Sequence, residues 1–173
     1  MKNTTLTKVT PSEINLLQQV SRQTFSETFA ESNTDENLHN YLEKNLSAEQ
    51  LLEELAAADT RFYFAETDGK IAGYLKVNFG DSQTELKDSN ALEIERIYVL
   101  KEYHGKGVAQ VLYARAIETA KILNCHYVWL GVWEQNQRAI SFYRKNGFVE
   151  FDKHIFKLGD DAQTDIMMKL QLE

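Results

Sequence analysis

The feature that most limits the fold of this chain is a strand that runs through a two-glycine turn directly into a long helix. Residues 97–109 read Ile-Tyr-Val-Leu-Lys-Glu-Tyr-His-Gly-Lys-Gly-Val-Ala, and apolar residues at helical spacing follow. Gly105 and Gly107 would let the backbone approach an anion at a helix N-terminus, where N–H groups are unpaired, and Lys106 adds positive charge. Taken alone, such a turn is more often a tight connection than an anion-binding site.

The rest of the sequence predicts one mixed α/β domain over residues 1–173. Asp68-Gly69 between two β-branched and aromatic runs is typical of a hairpin, and the spacing of Asn33 and Glu36 predicts a helix start. We expect helices within 12–58, over 107–124 and over 136–146, and strands over 2–9, 62–65, 71–79, 91–100, 127–133, 148–156 and 165–170.

Composition excludes several classes of protein. The net charge of −7 argues against a general nucleic-acid binder, which needs a basic surface to neutralise phosphates. A single Cys excludes a disulfide framework, and the four His have no metal-ligand spacing, so we expect no metal. The first 17 residues are polar, and the longest apolar run, 127–133, is too short to span a bilayer. We therefore expect a soluble, cytoplasmic protein with no membrane partner.

The charge is unevenly distributed along the chain. Residues 1–60 carry 4 basic and 10 acidic side chains, a net −6, whereas residues 96–145 carry 8 basic and 3 acidic ones, a net +5. Two such segments could face ligands of opposite charge. From charge alone, a solvated surface explains the same distribution.

A second segment points to a family. After the strand that ends at Trp133, the chain has Asn, Ala, Phe-Tyr and Gly-Phe at fixed spacing. The residues are Asn136, Ala139, Phe142, Tyr143, Gly147 and Phe148. Together with His104-Gly105-Lys106-Gly107-Val108-Ala109, this pattern resembles the GNAT superfamily of acetyl-coenzyme A-dependent N-acetyltransferases. The resemblance implies an α/β (α+β) GNAT fold, with a central mixed, mostly antiparallel sheet of about six to seven strands flanked by helices.

The resemblance also implies where acetyl-coenzyme A (acetyl-CoA), the cosubstrate, would bind. The backbone of the strand before the glycine turn would polarise the thioester, and the first amides of the next helix would bind the phosphates. The implied residues are Ile97, Tyr98, Val99, His104, Gly105, Lys106, Gly107, Val108, Ala109, Asn136, Tyr143 and Lys145. His104 departs from the family, which has Arg or Gln at that position, and a histidine carries little charge at neutral pH. A solvated helix face explains Lys145 equally well.

Acetyl transfer to an amine needs a proton donor for the leaving thiolate and a base for the amine. By resemblance, Tyr143 is the expected donor, since its phenol is protonated at neutral pH; the alternative is a core aromatic beside Phe142. Glu93 and Glu95 alternate along one strand and point to one side, so either could be the base, directly or through a water. They could instead pair with Arg96 or Lys76, or attract a cationic substrate.

The acceptor is expected to be a small amine. Segments such as Thr24–Phe29, Leu92–Val99 and Gly159–Asp165 resemble the bacterial spermidine/spermine N-acetyltransferases. That resemblance implies acetyl transfer to a primary amine of a polyamine, by direct attack in a ternary complex. The acidic residues of the N-terminal helices are the expected substrate-binding residues: Glu27, Glu31, Asp35 and Glu36.

Three alternatives stay open at this point. The acceptor could be a peptide or protein amine, either an N-terminus or a lysine. The chain could also be a regulator of the same fold that binds the coenzyme without catalysis. A catalytic role for Cys125, through an acyl-enzyme, is less economical than a structural role as a small buried side chain, because no base is paired with its thiol. Oligomeric state is not fixed by the sequence, and a homodimer is left open.

Overall fold

The computed structural model describes residues 3–173. The helices are α1 (Ile14–Phe29), α2 (Asp35–Asn45), α3 (Ala48–Ala56), α4 (Val108–Ile122) and α5 (Gln137–Lys145). The strands are β1 (Thr4–Lys8), β2 (Thr60–Thr67), β3 (Lys70–Phe79), β4 (Ala91–Val99), β5 (Tyr127–Trp133), β6 (Val149–Leu158) and β7 (Asp161–Gln171).

All seven strands lie in one sheet, in the order β1-β2-β3-β4-β5-β7-β6. Every neighbouring pair is antiparallel except β4 and β5, which are parallel and joined by α4. A parallel pair needs such a crossover, whereas antiparallel neighbours can be joined by short turns. The predicted α/β fold with a mostly antiparallel sheet is confirmed.

The core is divided between the two faces of the sheet. Leu112 and Ala116 of α4 pack in one hydrophobic cluster, and Leu17 of α1 packs in the other. Tyr74 and Leu75 are consecutive in β3 yet belong to different clusters, because successive strand residues point to opposite faces. Burial on both sides makes the central strands rigid, and the residues beside them are held in fixed positions.

Strands β4 and β5 are paired over only part of their length. The ladder joins Ala91, Leu92 and Glu93 to 127–129, and beyond Glu93 the described strands have no further pairing with each other. Because the two strands are parallel, the turns into α4 and α5 leave the sheet at this same end. The separation of β4 from β5 therefore opens a gap that is bounded by the ends of these two strands and by the N-termini of α4 and α5.

The boundaries differ from the predictions at a few places. The cap of α2 is Thr34 and not Asn33, since the Thr34 hydroxyl accepts a hydrogen bond from the backbone N–H of Asn37 at 3.1 Å. The last strand begins at Asp161, because Gly159 turns with φ of 65° and pairs the segment after it with β6. Lys2, expected at the start of the first strand, lies outside the described residues.

Candidate active site

Two cavities meet where β4 and β5 separate. The first, here called the glycine-loop cavity, has a volume of about 630 Å³ and is bounded by Gly105, Gly107 and the start of α4. The second, here called the aromatic cavity, has a volume of about 390 Å³ and lies toward Phe29 and Phe156. Both cavities are lined by Thr28, Ile97, Tyr98, Trp133, Asn136, Ala139 and Tyr143. A molecule in one cavity could therefore reach a molecule in the other.

The turn before α4 has the geometry that an anionic ligand needs. Gly105 and Gly107 have φ of 76° and 82°, a backbone conformation that residues with a side chain rarely adopt. Gly107 is the N-cap of α4. A Cβ added at either glycine would meet no described protein atom within 4 Å, so packing does not explain their lack of a side chain. The first amides of α4 have no partners within the helix and carry partial positive charge. The loop thus fits a phosphate-bearing ligand.

The residues expected to bind acetyl-CoA are mostly brought together in the glycine-loop cavity. Those lining it are Ile97, Tyr98, Val99, His104, Gly105, Gly107, Val108, Ala109, Asn136 and Tyr143. Lys106 and Lys145 are exposed and do not line it, and the Lys106 ammonium lies 5.5 Å from the centre of the Tyr103 ring. Their placement gives no support to a direct contact with a ligand inside the cavity.

The backbone of the end of β4 faces the gap between the strands. Ile97, Tyr98 and Val99 pair with 73–75 of β3 on one side, while the ladder to β5 ends at Glu93. On the β5 side this stretch therefore has no strand partner among the described residues. Backbone N–H groups at such an edge are free to donate to a ligand oxygen.

Tyr143 lies in the wall shared by the two cavities, on α5. Its side chain is buried, with its ring 5.4 Å from that of Phe142 and 5.6 Å from that of Phe148. Burial, followed by the nearby Tyr113, raises the pKa of the Tyr143 phenol above its ordinary value. The residue is both part of the core and a protonated hydroxyl at the site. Asn136, seven residues earlier, lies in the same wall and caps α5 by accepting from the Ala139 N–H at 3.2 Å.

Glu93 is a buried carboxylate in the wall of the aromatic cavity. It is only 3% exposed and accepts hydrogen bonds from Asn78 Nδ2 at 3.0 Å, Thr84 N at 2.8 Å and Thr84 Oγ1 at 2.6 Å. Burial raises the pKa of Glu93 in spite of the hydrogen bonds from Asn78 and Thr84. A carboxylate whose pKa is raised is a stronger base once it is ionised.

Glu95 differs from Glu93 although both accept a hydrogen bond from Asn78. Its carboxylate lies 2.5 Å from the Lys76 ammonium and 3.7 Å from the Arg96 guanidinium, and both cations also pair with Glu54. Burial acts to raise the pKa of Glu95, but Arg96 and Lys76 outweigh it and lower that pKa to about 2. The ion pairs that the sequence left open are therefore formed.

The aromatic cavity is lined by rings from six elements, the helices α1 and α2 and the strands β3, β4, β5 and β6. Phe25 stacks on Tyr41 at 4.2 Å between ring centres, and Phe29 lies 5.0 Å from Trp133. The Trp133 indole N–H donates to Gln163 Oε1 at 2.6 Å, which fixes the orientation of its ring. Such a lining suits the methylene groups of a ligand, and its ring faces attract cations.

Two carboxylates that the sequence analysis did not select also line the aromatic cavity. Glu85 and Asp165 lie on either side of His154, with Nδ1 at 3.3 Å from Glu85 and Nε2 at 3.5 Å from Asp165. Burial, moderated by His154, raises the pKa of Asp165. The three residues are 11 to 80 positions apart in the sequence, so no local pattern could have grouped them.

The expected substrate-binding carboxylates of the N-terminal helices lie elsewhere. Glu27 lines the glycine-loop cavity, where it accepts from the Lys101 N–H at 3.3 Å. Glu31, Asp35 and Glu36 are exposed and line neither cavity. They lie on the solvent side of the first turns after α1, so their placement does not support contact with an acceptor.

Other candidate groups lie outside the two cavities. Cys125 is half-buried against the α4 cluster, and burial raises the pKa of its thiol, which disfavours the reactive thiolate. Within residues 3–173, no three His, Cys, Asp or Glu side chains are placed to share a metal ion. No helix in that range is long and apolar enough to cross a membrane.

Comparison with known proteins finds a matching family. The model of the acetyltransferase (GNAT) family matches residues 18–148. An uncharacterized N-acetyltransferase from the pepI 3′ region of Lactobacillus delbrueckii subsp. lactis is 41% identical over 153 residues, which cover 88% of each chain.

Two further matches, one to a sequence and one to a solved structure, come from Thermoplasma acidophilum. Its spermidine N(1)-acetyltransferase is 26% identical over 173 residues, covering 96% of each chain. The crystal structure of its PaiA N-acetyltransferase in complex with coenzyme A superimposes with a TM-score of 0.81 at 24% identity, covering 98% of this chain and 99% of that one. The structural match shows that the fold is shared.

Proposed function

The chain belongs to the acetyltransferase (GNAT) family and is an N-acetyltransferase that uses acetyl-CoA, and from that premise we propose that its acceptor is a small polycationic amine, with spermidine and spermine as the first candidates. The observation that carries the proposal is the meeting of two cavities at the separated ends of β4 and β5. One cavity fits a phosphate-bearing molecule, and the other combines aromatic rings with carboxylates.

Acetyl-CoA supplies a thioester whose carbonyl carbon an amine can attack. In the proposal, the amides at the start of α4 and the turn residues Gly105 and Gly107 bind its phosphates. The free backbone edge of Ile97–Val99 orients the thioester and stabilises negative charge on its oxygen. Asn136 and Tyr143 lie beside both cavities, where the two substrates would meet in a ternary complex.

The aromatic cavity supports an acceptor with methylene groups and more than one positive charge. Rings such as Phe29 and Trp133 would pack on the methylene groups, while Glu85 and Asp165 would attract a distal ammonium. The relative named as a spermidine N(1)-acetyltransferase acts on a compound of this class, and its match extends over nearly the whole chain. A monoamine would bring no second ammonium to the two carboxylates, which would then have only His154 beside them at the cavity.

We assign the two proton transfers of the reaction to Glu93 and Tyr143. Glu93, whose pKa is raised, takes the proton of the acceptor ammonium, either directly or through one water. Glu95, whose pKa is lowered to about 2 and which is paired with Lys76, is a weak base and holds the strand in place. Tyr143 keeps its proton at neutral pH and donates it to the departing thiolate.

The test is a thiol-release assay with acetyl-CoA and a matched panel of acceptors. The panel contains spermidine, spermine, 1,4-diaminobutane, butylamine, a peptide with a free N-terminus and an N-blocked peptide with one lysine. We expect the highest kcat/KM with the polyamines and the lowest with butylamine, which has the same chain length as the diamine but one charge. Turnover of the peptides without the polyamines would reject the proposed acceptor. Tight binding of acetyl-CoA with no turnover of any amine would favour a regulator.

A further inference from the structure

His104 forms two hydrogen bonds that connect the glycine loop to α5. Its Nε2 lies 2.8 Å from the carbonyl oxygen of Val99, and its Nδ1 lies 2.7 Å from Nη1 of Arg138. Both His104 and Arg138 line the glycine-loop cavity together with Gly105 and Gly107. Both side chains are exposed in the free protein, so a molecule in the cavity would cover them.

The two partners fix the protonation state of the ring. A carbonyl oxygen can only accept, so Nε2 carries the proton, and a guanidinium can only donate, so Nδ1 accepts. His104 is therefore the neutral tautomer with its proton on Nε2. It brings no positive charge to the loop, and it has no remaining ring nitrogen with which to donate to a ligand.

Two cations line the glycine-loop cavity, Lys101 and Arg138, and Arg138 is the one whose guanidinium contacts His104. Arg138 lies in the first turn of α5, where the helix dipole disfavours a cation. The ion pairs among residues 3–173 leave its guanidinium without a carboxylate within 4.0 Å. An arginine held beside a two-glycine turn, at a position that costs helix stability, is placed to bind an anion. Lys106 and Lys145, the other basic residues considered for this role, do not line the cavity.

We propose that Arg138 binds the diphosphate of acetyl-CoA and that His104 is the positioning residue that aims its guanidinium. The neutral imidazole acts as a bridge: the Val99 carbonyl fixes the ring, and the ring fixes Arg138. A guanidinium can donate two parallel hydrogen bonds to phosphate oxygens, while one of its N–H groups stays on His104. The proposal rests on the use of acetyl-CoA alone, so it stands or fails independently of which amine is the acceptor.

The test measures binding directly, by isothermal titration calorimetry without an acceptor. The probes are CoA, 3′-dephospho-CoA, which keeps the diphosphate, and pantetheine, which has no phosphate. Arg138→Ala should raise the Kd of CoA and of 3′-dephospho-CoA by about the same factor, roughly tenfold, and leave pantetheine unchanged. Arg138→Lys should recover part of the loss, because it keeps the charge without the bidentate geometry. Lys121→Ala, on the last turn of α4, removes one positive charge outside both cavities and should change no Kd.

The positioning role of His104 is tested by a double-mutant cycle. His104→Ala should weaken binding of both nucleotides several-fold in the wild-type background and have no effect in the Arg138→Ala background. The double variant His104→Arg with Arg138→Ala places a positive charge on the loop itself, and it should recover much of the affinity for CoA and 3′-dephospho-CoA. The melting temperature of each variant shows whether it is folded.

Each remaining outcome contradicts the proposal. Unchanged Kd values in Arg138→Ala would show that the guanidinium does not touch the coenzyme. A loss seen with CoA but not with 3′-dephospho-CoA would assign Arg138 to the 3′-phosphate. Additive effects of the two substitutions would show that His104 does not act through Arg138.

Discussion

Glu93 and Trp129 are the last residues paired across the parallel ladder of β4 and β5. Each is held by a further contact: Glu93 accepts from Thr84, and the Trp129 indole N–H donates to Gln83 Oε1 at 2.7 Å. The loop that contains Gln83 and Thr84 therefore secures the point where the strands begin to separate. Because that point is fixed, the free edge of β4 and the two cavities beyond it have a defined geometry before any substrate binds.

The first prediction concerns the hydroxyl of Tyr143. Tyr143→Phe removes the hydroxyl that we propose as the proton donor but keeps a ring that packs between Phe142 and Phe148. We expect kcat to fall about a hundredfold, a typical contribution of general acid catalysis, with little change in the Kd of CoA. The control is Tyr113→Phe, a neighbouring buried tyrosine that lines neither cavity. An unchanged kcat in Tyr143→Phe would reject its role as the acid.

The second prediction concerns the pH dependence of the reaction. Burial raises the pKa of Glu93, so the acid limb of kcat/KM should lie above the ordinary carboxyl range, with activity lost as pH falls and Glu93 takes up a proton. Glu93→Gln should lower the plateau of kcat/KM and remove the acid limb of its pH profile. Glu95→Gln is the matched variant: it should keep the limb but move it to lower pH, since the charge of Glu95 is one of the causes that raise the pKa of Glu93. If the acid limb persists in Glu93→Gln, the assignment of Glu93 as the base is wrong.

Where the sequence signal is local, the residues that it selects lie together in the structure. The glycine turn before α4 and the Asn-to-Tyr spacing on α5 are each contained in one short segment, because a helix start and a helix face are set by neighbouring residues. These segments identify the family and the cavity wall formed by Asn136 and Tyr143. The strand pattern likewise predicts the sheet, since alternation along each strand reports its two faces.

The sequence fails where contacts join distant segments. Glu85, His154 and Asp165 come from a loop, β6 and β7, and only the pairing of the last two strands brings them to one cavity. The same limit applies to Glu31, Asp35 and Glu36. The sequence shows that these residues are charged, but it does not show where their side chains lie relative to the cavities. The sequence likewise does not show that the His104 ring contacts Val99 and Arg138, because those contacts depend on how α5 lies beside the loop.

The third prediction concerns stability in acid. The pKa of Glu95 is about 2 in the folded protein and near 4.5 when unfolded, so the unfolded state binds more protons between these values. This carboxylate therefore contributes about 3 kcal/mol that is present above pH 4.5 and is lost as pH falls toward 2. Glu95→Gln should lower the free energy of unfolding at pH 7 by about 3 kcal/mol, since Lys76 and Arg96 lose a buried partner.

Urea denaturation at pH 7, 4 and 3 measures this effect. The difference in unfolding free energy between the wild type and Glu95→Gln should shrink as pH falls through that window. Glu43→Gln is a control, because Glu43 pairs with Arg22 on the surface and such pairs contribute little. A difference that stays constant with pH would show that the cluster stabilises the fold by packing and not by charge.

The fourth prediction concerns recognition of the acceptor by Glu85 and Asp165. Replacing both, in Glu85→Gln with Asp165→Asn, removes two negative charges from the aromatic cavity and leaves its shape nearly unchanged. The KM of spermidine should rise roughly fivefold, because partly exposed charge pairs contribute about 1 kcal/mol. The KM of butylamine should stay the same, since a monoamine has no second ammonium to place beside them. Raising the salt concentration should narrow the difference between wild type and variant.

The matched control for that variant removes the same charge from outside the cavity. Glu31→Gln with Asp35→Asn also changes the net charge by two, but both side chains lie in solvent and line neither cavity. Screening over about 10 Å at 0.1 M salt should keep the KM of spermidine within about twofold of the wild type. If this surface variant raises the KM of spermidine as much as the cavity variant does, recognition depends on the general negative field of the N-terminal third. A larger effect in the cavity variant would mean that Glu85 and Asp165 contact the acceptor.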